Sequence, residues 1–170
     1  MKINQQPAKS LLLFIISIMF SCFCFAQLPF VVPKNIPPFN MALSNGSGQF
    51  NKDNLQKGKP LIIIYFDPGC DHCKKYVQTL VQHIQPFKKT QMVLISGVGE
   101  IAPVQKFVQE FGLDKYPFIK VGTEGLYRPT LYFYRVEITP FTALYDTHAT
   151  LITYYRNVPT VNELVKQLHL

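Results

Sequence analysis

The spacing of hydrophobic residues changes along the chain, and each change predicts a different element. Residues 61–66 (LIIIYF) form a continuous apolar run rich in β-branched side chains, which is typical of a strand covered on both faces. From Cys70 as far as Phe87, apolar residues recur every three or four positions with polar residues between them. This second pattern predicts one amphipathic helix that packs on the sheet.

A second strand and a second helix are predicted after this pair. Residues 92–96 (MVLIS) read as another buried strand. The helix after it is expected to hold Glu100 in its first turn and to end near Phe111, with Gly112 as its C-terminal cap. The order β-α-β-α is typical of a sheet whose neighbouring strands run parallel.

Shorter elements are predicted on both sides of this unit. Turn residues between apolar runs predict two antiparallel hairpins, and a Thr-x-x-Glu capping box predicts the start of a last helix. In chain order these elements are the hairpin of 39–43 and 48–51, a helical turn at 51–55, a strand at 118–121, a short helix or turn at 129–135, the hairpin of 141–145 and 150–155, and the helix after Thr160. The fold class is therefore α/β, with a central mixed sheet flanked by helices and an N-terminal hairpin extension.

Composition indicates one folded domain with a basic surface. The chain has 170 residues, of which 48% are hydrophobic and 16% charged, and its formal net charge is +7. These values exclude a disordered chain and a coiled coil. The positive charge favours anionic surfaces or acidic partners. Because isolated lysines are usually only solvated and the chain has no long basic run, we expect no nucleic-acid partner.

The first residues have the three parts of a secretory signal peptide. Lys2 and Lys9 precede an apolar stretch at residues 11–20, and a small residue, Ala26, follows it. We expect cleavage after about Ala26 and export to the periplasm or the membrane surface. Two alternatives stay open: an uncleaved membrane anchor, and a lipoprotein in which the lipid is attached to Cys22.

Cleavage at this point sets both the domain boundaries and the number of cysteines. The predicted organisation is a signal peptide at 1–26, an extended proline-rich lead-in at 27–36 and one domain at 37–170. Of the four cysteines, the mature chain keeps only Cys70 and Cys73. A small disulfide-rich scaffold needs several disulfides, and one pair of nearby cysteines cannot supply them. The pair therefore favours a redox-active dithiol.

The candidate chemistry lies at the turn between the first buried strand and the first helix, in the sequence Cys70-Asp71-His72-Cys73. Cys70 falls at the helix N-terminus, where unpaired N–H groups favour the thiolate. Cys73, one turn later, can close onto Cys70, so we expect Cys70 to attack and Cys73 to resolve the mixed disulfide. A protonated His72 would stabilise the Cys70 thiolate, and the carboxylate of Asp71 would oppose it.

A metal site and an inert disulfide are the other interpretations of the two cysteines. A structural zinc site needs about four ligands. The sequence has no second C-x-x-C motif, and His83, His148 and His169 are scattered single residues. We therefore predict no metal ligands in this chain and favour redox work at the cysteine pair.

At these residues the sequence resembles the thioredoxin superfamily, in particular its exported TlpA-like and redoxin-like thiol–disulfide oxidoreductases. Residues 55–60 ahead of the strand and the C-x-x-C motif carry the resemblance, which extends over residues 37–170. It implies a thioredoxin-like fold and disulfide exchange with cysteine-containing client proteins. It further implies a membrane or periplasmic redox partner, no cofactor and a monomeric protein.

The resemblance also implies a substrate groove and two departures from the family pattern. The family has a cis-proline facing the cysteines, and Thr139-Pro140 fits it better than the rival Pro129. Phe66 stands in the region where the family carries a tryptophan, and it completes the predicted groove. Thioredoxin has a buried acid in the strand before the motif, where this chain has Ile64. The buried acid of thioredoxin accepts a proton from the resolving thiol, and in this chain Glu100 or a water molecule would take that role.

Two further functions compete with thiol exchange. A thioredoxin-fold binding module or copper carrier would use the same cysteine pair with a distant histidine, for which His148 is the candidate. Peroxide reduction would need a threonine or serine and an arginine around a single cysteine. The sequence Pro68-Gly69-Cys70 lacks that preceding threonine, so this third function is disfavoured.

Overall fold

The computed structural model describes residues 30–170, so the predicted signal peptide, its cleavage site and Cys22 lie outside the described residues. The chain divides into two units, residues 1–31 and 32–170, and the fold given below is that of the second unit. Within residues 30–170, none of the helices combines the length and the apolar character that a membrane crossing requires.

One mixed sheet of seven strands organises the second unit. The strands lie in the order β2-β1-β5-β4-β3-β6-β7. Strands β3, β4 and β5 are parallel to one another, and the other pairs are antiparallel. The strands are β1 (Asn40–Leu43), β2 (Gln49–Asn51), β3 (Leu61–Phe66), β4 (Gln91–Ser96), β5 (Ile119–Thr123), β6 (Phe141–Tyr145) and β7 (Leu151–Tyr155). The predicted α/β class, the mixed sheet and both hairpins are confirmed.

Four α-helices and three single 3-10 turns complete the unit. The helices are α1 (Asp71–Gln82), α2 (Ala102–Phe111), α3 (Pro129–Tyr134) and α4 (Val161–Leu168), and the 3-10 turns are Lys52–Asn54, Gln85–Lys89 and Leu113–Lys115. At α4 the Thr160 side chain accepts a hydrogen bond from the N–H of Glu163, whose carboxylate accepts in return from the N–H of Thr160. The predicted capping box is therefore confirmed.

The prediction of one helix from Cys70 to Phe87 is wrong. Helix α1 ends at Gln82, and the chain continues as the separate 3-10 turn Gln85–Lys89. The reason is Pro86, which has no N–H to donate to the carbonyl of Gln82 and whose ring would clash with that carbonyl in a continuous helix. The apolar spacing persists because Phe87 is still buried in the core. A continuous pattern of burial therefore spans two different helical elements.

The start of α2 also differs from the prediction. The helix begins at Ala102 after the N-cap residue Ile101, with Pro103 in its first turn. Glu100 precedes the helix and is exposed to solvent. The predicted C-terminal cap is confirmed, since Gly112 has φ 60° in the left-handed region, where a residue without a Cβ pays no steric penalty.

The two faces of the sheet are covered by different elements. All six residues of β3 are buried, and alternate residues point to opposite faces. On one face, side chains of α1, α2 and α4 form a single apolar cluster with Ile62, Ile64 and Phe66. On the other face, the ring of Tyr134 from α3 packs on Phe141, 4.7 Å between centroids. The loop after β3 therefore enters α1 at the end of the sheet, above a fully packed core.

The hairpin β1–β2 attaches to the rest of the sheet at a glycine. Gly122 of β5 pairs with Leu43 of β1, and a Cβ on Gly122 would collide with the backbone carbonyl of Ala42. The close approach of the two backbones therefore requires the missing side chain.

Candidate redox site

A tight turn carries the chain from β3 to the N-terminus of α1. The carboxylate of Asp67 accepts a hydrogen bond from the N–H of Gly69 at 2.7 Å, and the Asp67 carbonyl accepts one from the N–H of Cys70 at 3.1 Å. Cys70 has extended backbone angles and is the N-cap of α1, and its carbonyl accepts the first helical hydrogen bond, from Lys74 at 3.0 Å. The predicted placement of Cys70 at a helix N-terminus is confirmed.

The Cys70 sulfur is partly exposed and lies between two polar groups of the backbone. It accepts a hydrogen bond from the N–H of Cys73 at 3.4 Å, and its thiol can donate to the carbonyl of Thr139 at 3.6 Å. Partial burial raises the pKa of Cys70, but its hydrogen bonds with the N–H and the thiol of Cys73, with Thr139 and with the N–H of His72 together lower it by more. The net pKa is below the ordinary thiol value, which favours the thiolate.

Cys73 has the opposite environment, although it lies only three residues further on. Its side chain is 1% exposed and belongs to the core cluster. Burial raises the pKa of Cys73 to about 12. Both cysteines are free thiols in this structure. The pair therefore consists of an outer sulfur that tends to ionise and an inner one that is held neutral.

The peptide bond between Thr139 and Pro140 is cis. It immediately precedes β6, whose first residue, Phe141, pairs with Tyr65 of β3. This pairing brings Thr139 to the end of the sheet where α1 begins, and its carbonyl faces the Cys70 sulfur. The choice of Pro140 over Pro129 as the cis-proline is thus confirmed, while a role of these residues in binding clients stays a prediction.

The remaining residues predicted for the site lie in two different environments. His72 and Asp71 are exposed in the first turn of α1, and the effect of their side chains on Cys70 stays a prediction. Phe66 is fully buried and its ring packs on Phe107, 4.7 Å between centroids. This burial corrects the expectation that Phe66 lines the client groove, because alternation along β3 turns its side chain toward the helices.

His148 lies far from the cysteines. It belongs to the turn that joins β6 to β7, beyond Tyr145, and Tyr145 pairs with Leu61 at the start of β3. Cys70 follows the opposite end of that strand, which six residues separate by about 17 Å. The expectation that His148 completes a metal site with the cysteines is therefore corrected. Residues 30–170 hold no cluster of three or more His, Cys, Asp or Glu side chains suited to a metal ion.

One polar pair near the site was missed by the sequence analysis. The hydroxyl of Thr142 donates to the hydroxyl of Tyr76 at 3.2 Å, and both residues are buried. Tyr76 is one helical turn beyond Cys73 on the inner face of α1, and Thr142 lies two residues after Pro140. The pair therefore links the helix that carries the cysteines to the strand that follows the cis-proline. The helical spacing alone gave Tyr76 no function beyond core packing.

A buried acid was also missed. Glu124 follows β5 directly and is 6% exposed, and its carboxylate oxygens each lie 3.2 Å from the N–H of Thr130, which donates to them. Burial raises the pKa of Glu124, and the N–H groups at the start of α3 lower it only in part. Glu100, which the sequence analysis considered as an internal proton acceptor, is exposed. The acid withdrawn from water at this end of the sheet is Glu124.

Comparison with known proteins identifies the fold. Neither a protein-family model nor a curated protein matches the chain. Among solved structures, a secreted Mycobacterium tuberculosis disulfide oxidoreductase homologous to E. coli DsbE is 20% identical, with a TM-score of 0.62 over 76% of this chain and 92% of that one. The same organism's DsbF is 21% identical, with a TM-score of 0.61 over 76% and 91% of the two chains.

A third similar structure comes from another bacterium. A thiol-disulfide oxidoreductase from Bacteroides fragilis is 15% identical, with a TM-score of 0.64 over 79% of this chain and 96% of that one. These similarities confirm the thioredoxin-like fold that the sequence resemblance implied. The chain shares that fold with thiol–disulfide oxidoreductases along nearly their whole length.

Proposed function

We propose that this protein is an exported thiol–disulfide oxidoreductase that exchanges a Cys70–Cys73 disulfide or dithiol with cysteines of client proteins. The single observation that carries the proposal is the asymmetry of the two thiols. Cys70 is accessible and its pKa is lowered by the N–H groups at the start of α1, whereas Cys73 is buried behind it with a raised pKa. Disulfide exchange requires an attacking thiolate and a second thiol held in reserve.

The reaction uses only sulfur chemistry. In the reducing direction, the Cys70 thiolate attacks one sulfur of a client disulfide and forms a mixed disulfide, and the other client sulfur leaves as a thiolate. Cys73 then loses its proton and attacks the Cys70 sulfur, which forms the Cys70–Cys73 disulfide and releases the second client thiol. The client gains two electrons and the protein loses two. The same steps in reverse oxidise a client dithiol.

Thr139 and Pro140 would shape the place where the client binds. The Thr139 carbonyl already lies 3.6 Å from the Cys70 sulfur. An extended client segment could add to this backbone by β-augmentation next to Pro140. A segment bound in this way would bring a client cysteine next to the Cys70 sulfur. The proposed substrate is therefore a cysteine-containing polypeptide.

Export and the remaining partners belong to the same proposal. The signal-peptide pattern at residues 1–26 supports export, and a structurally similar protein is described as secreted. Outside the cytoplasm, a membrane or periplasmic redox partner would reset the cysteine pair after each turnover. The protein would act as a monomer, without a nucleic-acid partner.

The test is the equilibrium of the purified protein, residues 27–170, with a glutathione redox buffer. We expect a single two-electron transition between the Cys70–Cys73 dithiol and disulfide. A midpoint near about −120 mV would define an oxidant of client thiols, and one near about −270 mV would define a reductant. The absence of a Cys70–Cys73 disulfide across this whole range would refute the proposal.

A trapping experiment identifies the attacking sulfur. In a Cys73→Ser variant the mixed disulfide between Cys70 and a client peptide cannot be resolved and should accumulate. A Cys70→Ser variant should form no such adduct. Mass spectrometry of the two variants after reaction with the same disulfide peptide distinguishes the two outcomes.

A further inference from the structure

A groove runs beside the candidate redox site along the outer flank of α1. One wall is α1 itself, and the other is the segment 158–162, which includes the first two residues of α4. The groove has a volume of about 510 Å³, within the range of about 300–1,000 Å³ found for ligand pockets. It does not include Cys70, Cys73, Thr139 or Pro140. The groove is thus a separate surface that adjoins the cysteines.

Three basic side chains line the α1 wall of this groove. His72, Lys75 and His83 are exposed to solvent and project along the same wall. No acidic residue is among those that line the groove. Within residues 30–170, Lys52 and Asp53 form the only ion pair, so the ammonium group of Lys75 has no partner there.

The nearest acid on the opposite wall is already engaged. Glu163 lies in the first turn of α4, where its carboxylate accepts hydrogen bonds from the N–H and the hydroxyl of Thr160 at 2.7 and 2.8 Å. This carboxylate is ionised, but Glu163 is not among the residues that line the groove. Lys75 is therefore the only lining residue with a formal charge when the histidines are neutral.

The other flank of α1 has a different charge pattern. The cleft there is lined by Asp71 and Glu110 as well as by Lys74 and Lys75. Two acids and two lysines line that cleft, whereas one lysine and no acid line the groove. The difference between the two flanks indicates electrostatic complementarity to a negatively charged partner on one side of the helix.

The groove also offers an apolar surface. Val158 and Val161 form its accessible apolar surface, while Tyr76 and Pro159, which also border the groove, are buried. Val158 is 44% exposed, although it is a side chain that gains free energy from burial. A partner that fits the groove therefore has apolar as well as acidic side chains.

The length of the groove corresponds to a short stretch of extended polypeptide. From His72 to His83 the helix advances eleven residues, or about 16 Å at the usual rise. An extended chain covers this distance with about five residues. Because His72 lies next to Cys73 at one end of the groove, a client segment that extends from Cys70 along α1 would enter it.

We propose that this groove, lined by His72, Lys75 and His83 along α1 and by residues 158–162 at the start of α4, selects client segments that carry acidic side chains within about five residues of the reacting cysteine. The inference rests on the proposed thiol exchange and adds the class of substrate to it. The occupant is an extended polypeptide with carboxylate and apolar side chains.

The experiment uses seven-residue peptides with one cysteine, prepared as its mixed disulfide with 2-thiopyridine. Three peptides carry Glu, Gln or Lys two to five residues from the cysteine. Attack of the reduced protein on the peptide sulfur releases 2-thiopyridone, and Cys73 then releases the peptide thiol. The absorbance of thiopyridone gives the second-order rate constant for each peptide at low and high salt.

Two double variants distinguish an effect of charges in the groove from an effect of the total charge on α1. Lys75→Glu with His83→Glu changes the groove, and Lys74→Glu with Gln78→Glu makes the same change in formal charge on the other flank. In the unchanged protein we expect the Glu peptide to react about tenfold faster than the Lys peptide at low salt. The groove variant should lose or reverse this preference, and the control variant should keep it within about twofold.

Three outcomes would overturn the inference. The first is equal rate constants for the three peptides. The second is an equal loss of preference in both double variants, which would assign it to the net charge of α1. The third is an advantage restricted to acids directly beside the cysteine, which would assign it to the Cys70 site. If no peptide reacts, including the Gln peptide, the proposed function itself has failed.

Discussion

Cys70 and Glu124 both place an ionisable group at the N-terminus of a helix, at the same end of the sheet, yet their pKa values shift in opposite directions. Cys70 accepts from the N–H of Cys73 in α1 and Glu124 from the N–H of Thr130 in α3. The pKa of Cys70 is lowered and that of Glu124 is raised. The carboxylate is almost completely buried, and the thiol is partly exposed.

A third helix start shows which difference decides the sign. Glu163 accepts from the N–H of Thr160 at the start of α4, but it is fully exposed, and these hydrogen bonds lower the pKa of its carboxyl group. Donated N–H groups therefore stabilise the anion at all three places. The pKa is raised only where burial outweighs these hydrogen bonds. Exposure of the Cys70 sulfur is therefore as necessary to its reactivity as its position at the start of α1.

The largest expected effect is in the alkylation of single cysteines. In a Cys73→Ser variant, iodoacetamide should modify Cys70 at pH 7 at least about a hundredfold faster than it modifies Cys73 in a Cys70→Ser variant. Cys73 is both buried and held neutral, with its pKa raised to about 12. Comparable rates in two folded variants would contradict the asymmetry of the pair.

A smaller effect on the alkylation rate of Cys70 is expected when the backbone N–H of residue 72 is removed, and it can be distinguished from an effect of the His72 side chain. His72→Pro removes one N–H that lowers the pKa of Cys70, and Pro103 occupies the equivalent position of α2. One hydrogen bond contributes about 0.5–1.5 kcal/mol, so alkylation of Cys70 at pH 6 should slow by about threefold to tenfold.

His72→Ala is the matched control, because it keeps the N–H and removes the imidazole. Equal slowing in both variants would assign the effect to the side chain, as the sequence analysis expected. Slowing confined to the proline variant would assign it to the backbone. The pH dependence of the alkylation rate gives the Cys70 pKa in each protein.

The substitution Glu124→Gln tests the raised pKa of the buried carboxyl group through its effect on the free energy of unfolding. The folded-state pKa of Glu124 is raised above its usual value of 4.5. Its contribution to the free energy of unfolding is therefore fully present below pH 4.5 and is lost as pH rises through the folded-state pKa. Urea unfolding of both proteins between pH 4 and 8 should show the native protein losing stability relative to the variant. Equal curves would contradict the raised pKa.

The smallest effect is expected for Glu163→Gln, with the opposite sign. The folded-state pKa of Glu163 is lowered. Its contribution is present above the unfolded value of 4.5 and is lost as pH falls through the folded-state pKa. The two proteins should therefore converge in urea unfolding only at acidic pH. A difference that grows on acidification would reverse the assignment.

Elements with local signals were predictable from the sequence. The turn residues at 44–47 fix a hairpin, and the capping box at Thr160 fixes the start of α4. The uninterrupted apolar run at residues 61–66 predicted a strand that is covered on both faces, as β3 is. The C-x-x-C spacing likewise placed Cys70 at a helix N-terminus, because each of these signals acts within a few residues.

Features that depend on distant segments were not predictable in the same way. The burial of Glu124 arises because α3 folds back over the end of β5, which no local pattern announces. Phe66 lies in the core because of the direction of its side chain, and this direction depends on the register of β3 against its neighbours. The position of His148 similarly follows from the antiparallel course of β6. Topology, rather than residue type, decided these three cases.

The missing side chain of Gly122 has a consequence for how the protein stays in solution. Beyond β5 the sheet continues only because the hairpin β1–β2 can approach that glycine closely. With alanine there, the hairpin would be pushed away and the outer edge of β5 would offer unpaired N–H and carbonyl groups to other molecules. The hydrogen atom of Gly122 in place of a methyl group thus keeps this edge of the parallel strands covered, which limits association with other chains.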